Sequence, residues 1–243
     1  MPRDWDAEAY DRLPIPMTSW GVTVVDRLDL RGDERVLDAG CGTGQVTAHL
    51  LERLPRGSVV ALDGSTAMLE RARARLGEQR VEYVEHDLME PIPIAPVDAV
   101  LSTATFHWIS DHDRLFSNLA TVTKPGGRLE AQCGGAGNIA SIAAALRSIG
   151  EDLDLGKVFA GPAETRARLA RAGFVNIACW LHEEPSAVPP EALESYLETI
   201  CLGGLLEGRP PAERRLIAAE VADRLSAPAI DYVRLNISAR RPD

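Results

Sequence analysis

The sequence predicts an α/β fold whose mostly parallel sheet is covered by helices on both faces. Short β-branched apolar runs alternate with longer helical patterns along most of the chain. Several of the runs are continuously apolar, as strands buried on both faces are. The 243 residues are 45% hydrophobic, with no internal repeat and no low-complexity tract, which suits one large domain.

Residues 1–30 read as a helical cap, with Pro14 and Pro16 interrupting two short helices. A core over 31–134 follows. Its first strand, around Val36-Leu37, passes through a glycine-rich turn into a helix from Gln45 to Leu54. Val59 to Leu62 is a strand leading to a helix over Ser65 to Leu76, where Ser65 or Thr66 can N-cap and Gly77 takes the C-terminal position. Val97 to Leu101 is followed by a helix over Asp111 to Val122, with Leu115 and Leu119 on one face and Lys124-Pro125-Gly126-Gly127 as its end. His112 is expected to help cap that helix. Arg128 to Cys133 and Val175 to Trp180 continue the strands, and Ile230 to Ala239 alternates as a strand after Ala227-Pro228. Between them, 189–227 reads as two helices separated by Gly208-Arg209-Pro210-Pro211, too long for a simple connection and expected to serve the site.

Acidic residues outnumber basic ones by 36 to 26, so the chain repels phosphate on average and nucleic acid is not an expected partner. Arg71, Arg73 and Arg75 read as a solvated helix face. The four cysteines, at 41, 133, 179 and 201, form no Cys-x-x-Cys pair, which argues for a reducing compartment and against structural zinc. With no apolar run near ~20 residues and an acidic, polar start, the expected location is cytoplasmic and no membrane is involved.

The chemistry is concentrated in Val36-Leu37-Asp38-Ala39-Gly40-Cys41-Gly42-Thr43-Gly44, a strand that turns through alternating glycines into a helix. Glycines permit positive φ and let a ligand lie directly on the backbone. A dinucleotide fingerprint would need its third glycine where Gln45 stands, and Asp38 at the loop would repel a pyrophosphate while suiting a cation. Asp63 ends the next strand, about twenty residues on, where a carboxylate accepts both hydroxyls of a ribose. Asp87 follows one strand later, able to take a hydrogen bond from an exocyclic amine while Leu88 packs on a base. Three carboxylates in this register describe a ligand with a ribose, a base amine, a positive charge and no phosphate.

These residues resemble the class I S-adenosylmethionine-dependent methyltransferases, over Arg35 to about Gly134 and more loosely at both ends. The resemblance implies a Rossmann-like seven-stranded sheet with its last strand antiparallel, and S-adenosylmethionine as cofactor with S-adenosylhomocysteine as product. It implies that Gly40, Cys41, Gly42 and Gly44 lie under the methionine moiety, that Asp63 holds the ribose, and that Asp87 and Leu88 hold the adenine. Asp38 contacts the ammonium directly or through water, Met68 packs near the adenine or in the helix core, and Thr103 contacts the cofactor from the fourth strand. Cys41 fills space rather than attacking, with no nearby His or Lys indicated to lower its pKa. Gly64 stands where the family usually carries a larger residue.

After the fourth strand, Ser102-Thr103-Ala104-Thr105-Phe106-His107-Trp108-Ile109 lacks the signatures of base methylation and of metal-dependent catechol-type enzymes, so no metal is expected. Together with Lys124-Pro125-Gly126-Gly127 and Trp5, Asp6 and Tyr10, it resembles the branch containing trans-aconitate methyltransferase. The expected acceptor is a small molecule methylated on a carboxylate or hydroxyl oxygen. His107 is the candidate base for a hydroxyl and only a positioning group for a carboxylate. Tyr10, Trp20, Phe106 and Trp108 are expected pocket walls, with Arg209, Arg214 or Arg215 pairing an acidic acceptor. A non-catalytic S-adenosylmethionine-binding partner or sensor is the alternative, and a nicotinamide-dependent oxidoreductase a third.

Overall fold

The computed structural model describes residues 16–151 and 156–243. In chain order these form α1 (Met17–Arg27), β1 (Arg35–Ala39), α2 (Gln45–Glu52), β2 (Ser58–Asp63), α3 (Thr66–Leu76), β3 (Val81–Glu85) and β4 (Val97–Thr103). There follow α4 (His112–Val122), β5 (Thr123–Gly134), α5 (Ala140–Ser148), α6 (Pro162–Arg171), β6 (Val175–Glu183) and β7 (Ser186–Ala187). The chain closes with α7 (Leu193–Tyr196), α8 (Pro211–Ala222), β8 (Ala229–Ile230) and β9 (Val233–Arg240).

Seven strands form one sheet in the order β3-β2-β1-β4-β5-β9-β6. β1 to β5 pair in parallel, and the last strand, β9, runs antiparallel to both neighbours, β5 and β6. Period two divides the strands between two cores. Leu37, Val60, Val100, Leu129 and Ile237 face α4 and α6, meeting Leu115, Phe116, Leu119 and Leu169. Val36, Val59, Ala99 and Leu101 face α1 and α2, meeting Val24, Val25, Leu28, Val46 and Leu50.

α1 is therefore a layer of the sheet. Its Thr18 hydroxyl lies 2.6 Å from Gln45 Oε1, and a Cβ on Gly21 would come within 2.4 Å of Val46. Only its first turn, with Met17 and Trp20, reaches the second apolar cluster described below. The rest of the expected cap, residues 1–15, lies outside the described residues.

Three local expectations need correction. Asp111, not His112, caps α4, its carboxylate accepting the Arg114 amide at 3.0 Å, while His112 is buried with Nε2 2.9 Å from Phe106 O. Lys124 to Gly127 do not separate α4 from the strand; they bulge within β5, between Thr123 opposite Val97 and Arg128 opposite Ala99. The final strand is broken at Asp231, whose carboxylate takes the Ser141 amide at 2.8 Å and its hydroxyl at 2.5 Å. Ala229-Ile230 consequently pairs with Ser186-Ala187 and clasps the two ends of 188–228 together.

That segment has its own core. Tyr196, Leu197, Ile200, Leu206, Ile217 and Val221 pack with Ile142 and Leu146 of α5 and with Tyr232. Among the described residues no helix is long and apolar enough to cross a membrane.

Candidate active site

The site is built at the carboxyl ends of β1 to β4. Gly40 has φ +84°, and a Cβ there would fall 2.2 Å from Thr105 Oγ1, so the turn and the close approach both require glycine. The Gly40 and Cys41 amides donate to Leu62 O at 2.8 and 3.0 Å, which ties the loop to the end of β2. Asp63, the last residue of β2, accepts the Gly42 amide on Oδ2 and the Ser65 amide on Oδ1, each at 2.9 Å. The Gly64 amide also bonds to this carboxylate, which has about four lone-pair positions and lines the cleft, so it keeps acceptor capacity for a ligand hydroxyl. Burial raises the Asp63 pKa, against the pull of the backbone amides.

The loop after β3 is equally fixed. Asp87 Oδ1 accepts the Met89 amide at 2.9 Å, and Asn118 of α4 donates to Leu88 O and Glu90 O at 2.9 Å. Together these segments wall a cleft of about 550 Å³, within the size range of small-molecule sites. Gly40, Gly42, Asp63, Gly64, Met68, Asp87, Leu88 and Thr103 line it, with Trp108 and Ile109 from the turn after β4 and Gly204 and Glu207 from the 188–228 segment. Asp63, Asp87, Glu90 and Glu207 outweigh Arg114, itself 2.8 Å from Glu90, so the cleft favours a cation.

Asp38 lies on the α1 and α2 side of β1. It is 1% exposed, its Oδ2 accepts the Thr47 hydroxyl at 2.7 Å and its Oδ1 has no hydrogen-bond partner. Burial, with a smaller repulsion from Asp63, pushes its pKa to about 7. An orphaned, costly carboxylate oxygen beneath a glycine loop fits a ligand that brings a positive charge.

A second, smaller cavity of about 40 Å³ adjoins the cleft, sharing Ala104 and Trp108 with it. Ala104 takes φ +55°, unusual for a residue with a side chain, and its amide donates to Gln132 O at 2.7 Å. His107 lines the small cavity and not the cleft. Its Nδ1 accepts the Gly134 amide at 3.3 Å, which places the proton of the neutral ring on Nε2. Burial, and then the charges of Lys157 and Arg234, hold its pKa well below the usual histidine range.

The methyltransferase domain family matches residues 36–127, the segment that builds the cleft from the glycine loop to the bulge in β5. Residues 36–127 are thus similar to a methyltransferase domain. Over 129 residues the chain is 35% identical to the trans-aconitate 2-methyltransferase of Acidovorax ebreus (strain TPSY), covering 53% of this chain and 49% of that one. The chain thus spans about half the length of the curated relatives it matches. The YcgJ protein of Bacillus subtilis superposes with a TM-score of 0.67 at 16% identity, covering 93% of this chain and 99% of that one. The phosphoethanolamine N-methyltransferase 2 of Haemonchus contortus, solved with S-adenosyl-L-methionine, gives 0.60 at 21% identity, covering 93% and 53%. At these identities the structures establish the shared fold.

Several expected contacts do not reach the cleft. Cys41 is buried with its thiol pKa pushed far up, and its Sγ lies 3.6 Å from Gly42 O. Gly44 starts α2, facing Ala72 and Leu76. Phe106 is 1% exposed in the core, edge-on to Phe116 at 5.8 Å, because the tight Phe106–Trp108 turn sends it inward. Trp20 stands behind the small cavity, 5.3 Å from the Tyr232 ring and under Arg234 at 4.7 Å. Tyr10 lies outside the described residues. Arg209 pairs with Glu151 and Glu213, and Arg214 with Glu198, so neither lines either cavity. The cations that do are Arg114 at the cleft and Lys157 and Arg234 at the small cavity, none of which the sequence had marked.

Proposed function

We propose that the protein transfers a methyl group from S-adenosylmethionine to an oxygen of a small-molecule acceptor, a carboxylate or a hydroxyl. The observation that carries this is the Asp63 carboxylate, fixed in the cleft wall by the Gly42 and Ser65 amides at the end of β2. Asp63 then accepts the ribose hydroxyls, the loop from Gly40 to Gly44 lies beneath the amino-acid end, and Asp38 balances its ammonium from below. Asp87, Leu88 and Met68 hold the base, with Gly64 leaving room beside it.

When bound, the cofactor supplies an electrophilic methyl on a sulfonium, whose leaving group is a neutral thioether. The chain's own task is to hold the acceptor about 3 Å from that carbon, in line, and to keep water out. Trp108 and Ile109 form the acceptor side, and the 188–228 segment, through Gly204 and Glu207, closes the mouth. His107 orients rather than deprotonates, since its Nδ1 lone pair is engaged by Gly134 and Nε2 carries the proton. That favours an acceptor already ionised near neutral pH, a carboxylate over a hydroxyl.

The test is S-adenosylhomocysteine release from S-adenosylmethionine over a panel of small carboxylic acids and alcoholic or phenolic metabolites, beside calorimetric titration with S-adenosylhomocysteine. Turnover on acids is the expected result. Turnover confined to hydroxyl compounds would transfer the base role to another group, and absence of cofactor binding would overturn the reading.

A further inference from the structure

We infer that Thr105 is a positioning residue that links the glycine loop to the turn carrying Trp108, so that a cofactor on the loop firms the acceptor wall. The inference rests on the methyl-transfer reading for the word cofactor, while its geometry rests on the ends of β1 and β4 and the turn that follows.

The chain turns sharply at Ala104, whose φ of +55° and amide bond to Gln132 O at 2.7 Å set Thr105 against the end of β1. Thr105 Oγ1 lies 3.0 Å from Thr103 O and 3.2 Å from Gly40 O, with one hydroxyl proton to share between the two carbonyls. The fit is close. A Cβ on Gly40 would fall 2.3 Å from Thr105 Cγ2 and 2.7 Å from its Cβ, so the glycine is what admits this side chain. Ser102 makes a neighbouring tie between the same strands, its hydroxyl donating to Ala39 O at 2.7 Å, but it is 1% exposed inside the sheet. Thr105 instead lines the cleft, where a ligand meets the same loop.

The backbone of Thr105 holds the turn. Its carbonyl accepts the Trp108 amide at 2.9 Å, the bond that closes Phe106–Trp108. Behind the turn, Phe106 O takes His112 Nε2 at 2.9 Å and the Ile109 amide at 3.0 Å, and His107 O takes the Val158 amide at 2.8 Å. His112 and Val158 do not line the cleft, so the tie between loop and turn runs through Thr105. A ligand lying on Gly40 to Gly44 fixes the Gly40 carbonyl, and with it the Thr105 hydroxyl and the Trp108 amide. The acceptor wall is thus completed when the methyl donor is present, and each ligand raises the other's affinity by the same factor.

Hydrogen exchange of the Trp108 and Ile109 amides, followed by NMR with and without saturating S-adenosylhomocysteine, reads the link. In the wild-type protein the ligand should slow both amides at least fivefold. Thr105→Val, which keeps the shape and removes the hydroxyl, should lose that slowing while the Gly42 amide remains protected by the ligand. Thr105→Ser, which keeps the hydroxyl, should retain it. Unslowed Trp108 and Ile109 amides in the saturated wild-type protein would overturn the link whether or not the variants fold. Slowing that survives in Thr105→Val overturns it too, since the ligand then acts on Trp108 by direct contact or through packing. Calorimetry on the same samples separates the two readings. Binding of S-adenosylhomocysteine without slowing removes only the link, whereas absence of binding to the wild-type protein removes the cofactor reading and the link with it.

Discussion

His107 Nδ1 accepts the amide proton of Gly134 at 3.3 Å, so the imidazole that the sequence offers as a base is held as a donor. Its neutral form persists well below pH 6.5. We therefore expect kcat to be flat from about pH 6 to 8, with no limb from this ring. His107→Ala should lower kcat about tenfold, the worth of one positioning hydrogen bond, and change S-adenosylhomocysteine affinity less than twofold. A rate rising through a pKa of about 6.5, abolished by the substitution, would restore the base role.

Asp63→Ala should weaken S-adenosylhomocysteine binding more than a hundredfold, since two hydrogen bonds to a charged acceptor are worth about 3 kcal/mol or more together. The same change frees the Gly42 and Ser65 amides, so the glycine loop loosens as well. Calorimetry on the folded variant decides it, and an affinity within threefold of the wild type would remove Asp63 from the ribose.

Asp38 should behave with opposite signs toward stability and binding. Its folded pKa of about 7 lies above the 3.8 of an ordinary aspartate, so the folded state binds its proton more tightly. Stability from this group falls as pH rises between those values and the full penalty remains above about 7, with a ceiling of about 4 kcal/mol. Asp38→Asn should thus raise the melting temperature of the ligand-free protein at pH 8 and do little at pH 4. Cofactor affinity should fall in the variant, and in the wild type it should rise with pH through about 7. A variant that is less stable at pH 8, or that binds unchanged, contradicts the assignment.

The parts of this site that were legible in the sequence are those fixed by local spacing. Gly40, Asp63 and Asp87 sit at the ends of successive strands, and parallel strands bring their ends together without any long-range information. Strand parity also places Asp38, two residues from Val36, on the same buried face, beneath the glycine loop rather than in the cleft wall. The small cavity was not legible, because His107, Lys157, Ile200 and Arg234 come from four segments far apart in the chain. Arg209 misled because its guanidinium is taken by Glu213, four residues on in the first turn of α8, and by both carboxylate oxygens of Glu151, a partner no local spacing reveals.

Arg27 and Glu130 carry the last prediction, which concerns how α1 is held on the sheet. Arg27 donates to Glu130 Oε2 at 3.0 Å, to Asn236 Oδ1 at 2.9 Å and to Ala131 O at 3.2 Å, across a stripe of buried polar residues on β5 and β9. Glu130 takes one further bond, from Ser238 at 2.5 Å, and burial raises its pKa against both partners. Arg27→Met would leave that carboxylate buried with one donor, at a cost of about 3 kcal/mol, because an uncompensated charge keeps its desolvation penalty. The loss should be largest at high pH and shrink as the pH falls, because burial raises the Glu130 pKa and protonation removes the charge that needs a partner. Arg27→Met with Glu130→Gln should recover most of it, since the charge that needed Arg27 is then gone. Denaturant unfolding of the four proteins in the cycle measures the coupling, and additive losses would show that Arg27 holds α1 by packing on Trp180, 5.3 Å from its guanidinium, rather than through Glu130.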